Sequence, residues 1–538
     1  MADLDTLIDS WLDERAEEAP VWATSVGVDG HDDRLPDLTE AGIRHRERRV
    51  DEWAEAFSDV DPDGLSEEQR IDRDLVLASL RGQQVMRDWE SWRREPADYL
   101  GPALSGIFML FLRRPSEEPE LVRCATARLR AVPGVLAAAR ANLSPELAHR
   151  VIVERGIGQC RAGVGYARHL VPAEVDDEGL RASLAEAGEE AAAAFEAFIP
   201  FLEDVAARAT GSYAVGEGRY SALLRQKELL GYGAVEMRER GKVAWASLDD
   251  EMRGLARDVT GSGDWREAVG KINAEHPATP EEMRAAYDEW TQRARRFLVE
   301  HDLVTLPEGE ECLVVPSPPF QRPVLAVASY MSPPAFKPSL TGHFFVPYPP
   351  DGTSPEEVQA RLEDNSTHGI PTTAVHEAYP GHHWHLSWMQ QHPRRLRRVI
   401  TTPYFSEGWA LYAEKMMREQ GFFTDSRQEL CHLDARIFRA ARIVVDTSLH
   451  MGEMTIDEAV RFMSTRATLT EPTARAEVGR YCAWPTQASS YLTGSLEIER
   501  IRDRYLADDR GALRQFHDAI AGSGALPIAL AERAVLGE

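Results

Sequence analysis

The sequence predicts a mainly α protein with one small β-rich insert, and three observations carry that prediction. Apolar residues recur at three- and four-residue spacing between charges over long stretches. Proline and glycine breaks are short. The texture changes only once, between residues 306 and 351. Hydrophobic residues make up 43% of the 538, enough for a sizeable core.

Taken in order, residues 121–142, 177–207, 234–258 and 280–302 read as amphipathic helices. Residues 306–351 are rich in proline, β-branched and aromatic side chains, and 312–315, 324–330 and 342–347 read as strands. The helical pattern returns from residue 372 to the end. The expected organisation is an N-terminal helical region at 1–305, the insert at 306–351 and a C-terminal helical region at 352–538. Without a repeat or a low-complexity linker, these are expected to pack as one continuous body. The insert has two readings: an exposed strand edge that receives an extended substrate, or a cap on the helical core.

Bulk properties exclude several classes of function. A net charge of −27 argues against a nucleic-acid partner, since phosphate binding needs a basic face and none stands out. No stretch approaches the roughly 20 apolar residues of a membrane span. The acidic start lacks the features of a secretory signal. Five scattered cysteines without a CxxC pair suit buried thiols in a reducing compartment, so a cytoplasmic protein is expected. Monomer and homodimer remain equally open.

The chemistry concentrates in VHEAYPGHHWH, residues 375–385, and SEGWALYAE, residues 406–414. Five of the sixteen histidines lie between His376 and His392. A His-Glu pair, a second histidine and a glutamate one helix later is the gluzincin way of holding zinc. The spacing is unusual, because the position four after His376 is Pro380, which cannot bind metal. His382, at i+6, lies about 120° off the face of His376 on an ideal helix. His383, at i+7, shares that face but sits about 10 Å further along. Pro380-Gly381 offers a way out, since a two-residue bulge would bring His382 to where i+4 normally sits. His376 and His382 are therefore the expected ligands, with His383 a substitute or a supporting group. Glu407, 25 residues after His382 and next to Gly408, is the expected third ligand. Glu414, one heptad on, is placed to orient an imidazole. Three protein ligands leave an open position for water, a catalytic pattern, with Glu377 as general base. The bland alternative is an amphipathic helix with core or solvated histidines.

HEAYPGHH followed by SEGWALYAE resembles the bacterial family known as domain of unknown function 885. RLRAVPGVLAAARANL, RAARIVVDTSLHMGEMTIDEA, EVGRYCAWPTQASSYLTG and FHDAIAGSGALPIALAE look like its other blocks, so the resemblance spans most of the chain. That family's fold is similar to the carboxypeptidase Taq-like zinc peptidases. The resemblance implies a helical metallopeptidase-like body with a central cleft, a metal role for His376, His382 and Glu407, and a base role for Glu377.

Supporting roles are expected of Tyr491 and His450 as oxyanion donors, with Asp446 holding His450 from one helical turn away. A substrate carboxylate would need an arginine, from Arg480 or the row Arg436, Arg439, Arg442. Arg394, Arg395, Arg397 and Arg398 read as a solvated helix end, and His385 and His392 as bystanders. The expected function is a zinc-dependent peptidase with one Zn²⁺ per chain, other divalent ions being accepted by such a site. Its substrate would be a peptide or small amide. The rivals are a zinc amidohydrolase or esterase, and a binding or scaffold protein with a relict site.

Overall fold

The computed structural model describes residues 3–322, 327–350 and 352–537, and 69% of the chain is helical. Contacts divide it into two compact units, Met1–Val215 with Pro334–Lys337, and Gly216–Pro333 with Pro338–Glu538.

In the first unit, α1 (Glu118–Asn142) and α2 (Arg150–Gly165) both pack on the long α3 (Glu178–Arg208). The Asp177 carboxylate caps α3, accepting from Leu180 N at 2.9 Å. Arg128 of α1 is wholly buried and donates to the carbonyls of Pro20, His31, Arg34 and Gly106, which ties the N-terminal segment down. A cavity of about 470 Å³ in this unit is lined by Trp11, Arg15, Trp22 and Trp53 among others, and none of its lining residues belongs to the His-Glu motif.

The second unit contains the motif. Its helices include α4 (Ala234–Thr260), α5 (Pro280–Glu300), α6 (Ile370–Glu377), α7 (His382–Gln390), α8 (Pro403–Glu419), α9 (Ser426–His450), α10 (Glu471–Ala483) and α11 (Ser490–Ala507). Their starts follow from the sequence: Thr279-Pro280, Thr402-Pro403 and Asp425 each cap a helix with the side-chain oxygen. The contact division falls at Val215/Gly216 and not where the texture changes at residue 306, because α4 lies along α9 and α5 packs on α6.

The insert is a three-stranded sheet of β1 (Glu311–Pro316), β2 (Ser329–Met331) and β3 (Thr341–Val346), in the order β1-β3-β2. β1 runs parallel to β3 with Val314 opposite Phe344, and β2 runs antiparallel with Tyr330 opposite Phe344. The expected strands at 312–315 and 342–347 match β1 and β3. Of the expected 324–330 strand, residues 324–326 lie outside the described residues, 327–328 are not strand, and 329–330 fall in β2. Phe344 meets Tyr287 of α5 edge-on at 5.3 Å, and the Tyr330 hydroxyl reaches His383 Nδ1 of α7 at 3.0 Å. The sheet is therefore anchored to α7, which carries His382, and to α5, which packs on α6.

Candidate metal centre

The helix through HEAYPGHH is interrupted, not bulged. α6 ends at Glu377 and α7 begins at His382, with Ala378–Gly381 crossing between them through a cis Tyr379–Pro380 bond. Gly381 N donates to Val375 O at 3.0 Å, which folds the crossing back over α6. A Cβ on Gly381 would stand 1.9 Å from His376 O, so only glycine permits this approach. Trp409 Nε1 donates to Pro380 O at 2.8 Å and ties the crossing to α8.

As a result, His382 turns back toward His376, their rings meeting edge-on at 4.8 Å between centroids. Glu407 of α8 completes the group: Oε2 lies 3.6 Å from His376 Nε2 and 3.5 Å from His382 Nε2. One ligand atom from each of the three residues falls within 4.8 Å of the others. Glu377 stays half-buried at the end of α6, beside this cluster.

Glu407 is placed by a close helix crossing. A Cβ on Gly408 would meet Gly494 Cα at 2.6 Å, and one on Gly494 would meet Tyr404 O at 1.8 Å. The two glycines let α8 and α11 touch backbone to backbone. Gly494→Ala is expected to lower stability by about 1–3 kcal/mol through forced separation of these helices, read as a fall in the thermal midpoint. An unchanged midpoint would mean that the crossing tolerates a methyl group.

Behind the cluster, His376 Nδ1 donates to Glu414 Oε1 at 2.7 Å, and the other oxygen of Glu414 lies 3.4 Å from His432 Nδ1. Burial opposes charge on His376, but Glu407 and Glu414 outweigh it and carry the ring up to about 10. Burial likewise opposes the Glu414 carboxylate, yet its two histidine neighbours hold it down at about 2. Glu407 is also held well below the carboxylate range, against burial, by His376 and His382. Glu377 goes the other way, raised chiefly by burial and also by Glu407, against the pull of His376, His382 and Arg439.

His383 faces away from this cluster. Its Nε2 donates to Glu310 at 2.7 Å, where Tyr379 also donates and Arg295 pairs at 2.9 Å. Glu310 thus receives the residues on either side of Pro380-Gly381 and holds the crossing in place. Glu310→Ala is expected to cost about 1–3 kcal/mol in a urea titration, since it orphans two buried donors and a partly exposed guanidinium. Glu310→Gln should recover part of that loss, and equal stability of all three proteins would remove the anchoring role.

Tyr491 lies half-buried, its ring 4.9 Å from Arg442 and 6.0 Å from Arg439, the arginine whose charge reaches Glu377. His450 does not join the cluster. It follows Arg439 by eleven residues on α9, about 16 Å along the axis, and its Nε2 bonds to Tyr481 O at 3.0 Å. Asp446 stands 3.7 Å from that ring and instead accepts from the Tyr220 hydroxyl at 2.6 Å. His450 thus lies outside the converging group, with its ring engaged by Tyr481 O. Arg397 corrects a second expectation: it is 1% exposed and donates to Ser523 O, so it is a core residue and no solvated end. His385 is wholly buried with neither ring nitrogen bonded, and burial presses it down to about 3.

His432, Glu310 and Trp409 were not singled out by sequence. Trp409 sits inside EGWALY, where it could have been suspected. His432 and Glu310 carry no local signal, because their partners lie far off in the chain.

Fold and site together define a mainly α protein built around two imidazoles and a carboxylate, with further acidic and imidazole groups behind them. The chain belongs to the bacterial protein family of unknown function DUF885, whose profile matches residues 20–535. It is similar throughout to the solved "putative lipoprotein of unknown function" from Shewanella oneidensis, with a TM-score of 0.82 and 20% identity over 100% of both chains. It is also similar to the crystal structure of the "putative lipoprotein" from Colwellia psychrerythraea, with a TM-score of 0.86 and 19% identity over 99% of this chain and 98% of that one. At these identities the likeness is one of fold. No curated protein matches the chain. Among the described residues, no helix is long and apolar enough to cross a membrane.

Proposed function

We propose that the protein is a metal-dependent hydrolase of peptide bonds that uses zinc held by His376, His382 and Glu407. One observation carries the reading. The Glu407 oxygen stands 3.5 and 3.6 Å from the two imidazole nitrogens, too far for good hydrogen bonds. Neighbouring ligand atoms around a tetrahedral zinc are about 3.4 Å apart, given bonds of about 2.1 Å. Two nitrogens and one oxygen suit zinc, and manganese or cobalt as well.

Bound there, the cation supplies Lewis acidity, polarising a carbonyl and making water nucleophilic near neutral pH. The chain supplies the rest. Glu414, itself braced by His432, fixes the His376 ring and its tautomer. Glu377 takes a proton from the attacking water and returns it to the leaving amine, a role that its raised carboxyl suits. Tyr491 is the candidate donor to the developing oxyanion. The same residues would serve an amidohydrolase or esterase equally, so the substrate must be tested directly.

Protein purified without added metal is expected to carry about one zinc per chain and to cleave members of a short-peptide library. A peptidyl hydroxamate or a chelator should stop the reaction, and zinc should restore it after chelation. Hydrolysis of esters or simple amides with every peptide left intact would move the reading to the rival enzyme. Failure to take up any divalent metal would end it.

A further inference from the structure

Three clusters in this unit compete for attention: the Glu310 anchor, the buried Tyr220–Asp446–Ser489 network, and the arginines of α9. The first is satisfied internally, and in the second the remaining Asp446 oxygen is buried against the His450 ring at 3.7 Å, enclosed by the helix packing. The third contains a cation that is not so satisfied.

Arg427 pairs with Asp425 and Glu275, Arg436 with Glu499, and Arg442 with Glu477. Arg480, on α10, pairs with Glu477 too. Arg439 differs from all four. Among the described residues no carboxylate pairs with it, its one hydrogen bond runs to Ala435 O at 3.1 Å, and its Nε is buried without an acceptor. Asp434, on the same helix, is engaged by Thr468 Oγ1 at 3.0 Å. In a chain of net charge −27, a half-buried guanidinium with no carboxylate paired to it is a feature that calls for a ligand.

Its position says where. His432 and Arg439 are seven residues apart on α9, so they share a face about 10 Å apart along the axis. His432 on that face meets Glu414, which holds His376. Arg439 also lies over the Tyr491 ring, on the helix that packs directly against α6. The group is therefore beside the reacting end of the site, with planar donors that match a carboxylate in bidentate fashion.

We infer that Arg439 is a specificity-determining residue that binds a free carboxylate of the substrate close to the bond cleaved. This rests on the hydrolase reading above. One extended residue spans at most about 3.6 Å, so the carboxylate belongs within one or two residues of the scissile carbonyl. The preferred substrates are short peptides cut near the C-terminus, or acylated amino acids, and C-terminal amides are poor ones.

The test uses a mixture of N-acetylated tripeptides, each present as free acid and as amide. Turnover by the parent protein is followed by mass spectrometry, and binding is measured separately on Glu377→Gln, with and without Arg439→Met or Arg439→Lys. Free acids should be favoured by about 10- to 100-fold in both readouts. Arg439→Met should reduce that preference to about twofold or less, through KM more than kcat, and Arg439→Lys should restore part of it. Equal treatment of acids and amides by the parent overturns the inference. So does an Arg439→Met variant that loses both classes alike, or one that keeps the full preference. Acid-selective binding without any turnover would sink the hydrolase reading and leave Arg439 in its role. No binding of any acid would overturn both.

Discussion

Glu377→Gln should retain the metal and lose turnover by about 10²- to 10⁴-fold, the usual contribution of a positioned general base. Gln keeps the size and the hydrogen-bonding shape of the side chain but cannot accept a proton. Glu377 is not one of the three residues whose ligand atoms converge, so the binding group survives the change. The measurement pairs elemental analysis with kcat on whichever peptide the library identifies. Metal lost together with activity would show that Glu377 is part of the binding group instead. Activity within a few fold of the parent would remove it from the mechanism.

Glu407→Ala is the complementary experiment, and here the metal itself should go. Removing even an outer partner of a metal ligand typically costs 10–100-fold in affinity, so loss of a ligand should exceed about 100-fold. The metal-free protein adds a signature of its own. His376 is raised to about 10 by Glu407 and Glu414 despite its burial. A group raised in the folded state contributes stability that is fully present below its unfolded value of about 6.5 and is lost as pH rises through about 10. Metal-free parent protein should therefore become less stable across that window, and Glu407→Ala should show a shallower decline. Since a metal needs the neutral ring, zinc uptake at pH 7 should release a proton, measurable by calorimetry in buffers of different ionisation enthalpy. Uptake without proton release would contradict the charged state of that ring.

Much of this architecture was legible in the chain. Helical periodicity located α1, α3, α4 and α5 to within about three residues, because each buries one stripe against a neighbour and all but α4 begin at a capping residue or a proline. The texture change at residue 306 marked the sheet, since β-branched and aromatic residues between prolines suit short strands. The motif was legible as well: Pro380 excluded the ordinary spacing, and the glycine after it allowed the chain to turn. The expected bulge and the observed break between α6 and α7 differ in detail but have the same effect, which is to carry His382 back beside His376.

Other features could not be read in advance. Sequence placed His450 and Asp446 one turn apart and suggested a catalytic pair. Only the packing shows that this end of α9 is closed by Tyr220 and Tyr481. The arginine row on α9 looked uniform, and the distinction between three satisfied guanidinia and Arg439 depends on which carboxylates arrive from other helices. The identities of His376, Glu377, His382 and Glu407, and the helices that carry them, were determined by the sequence, because capping, periodicity and the Pro-Gly break act over a few residues. The bracing of His376 by Glu414 and His432, the anchoring of the turn by Glu310 and the isolation of Arg439 were decided by tertiary structure. Those relations join residues 18 to 73 positions apart, and burial and hydrogen bonding across helices depend on packing that no local pattern encodes.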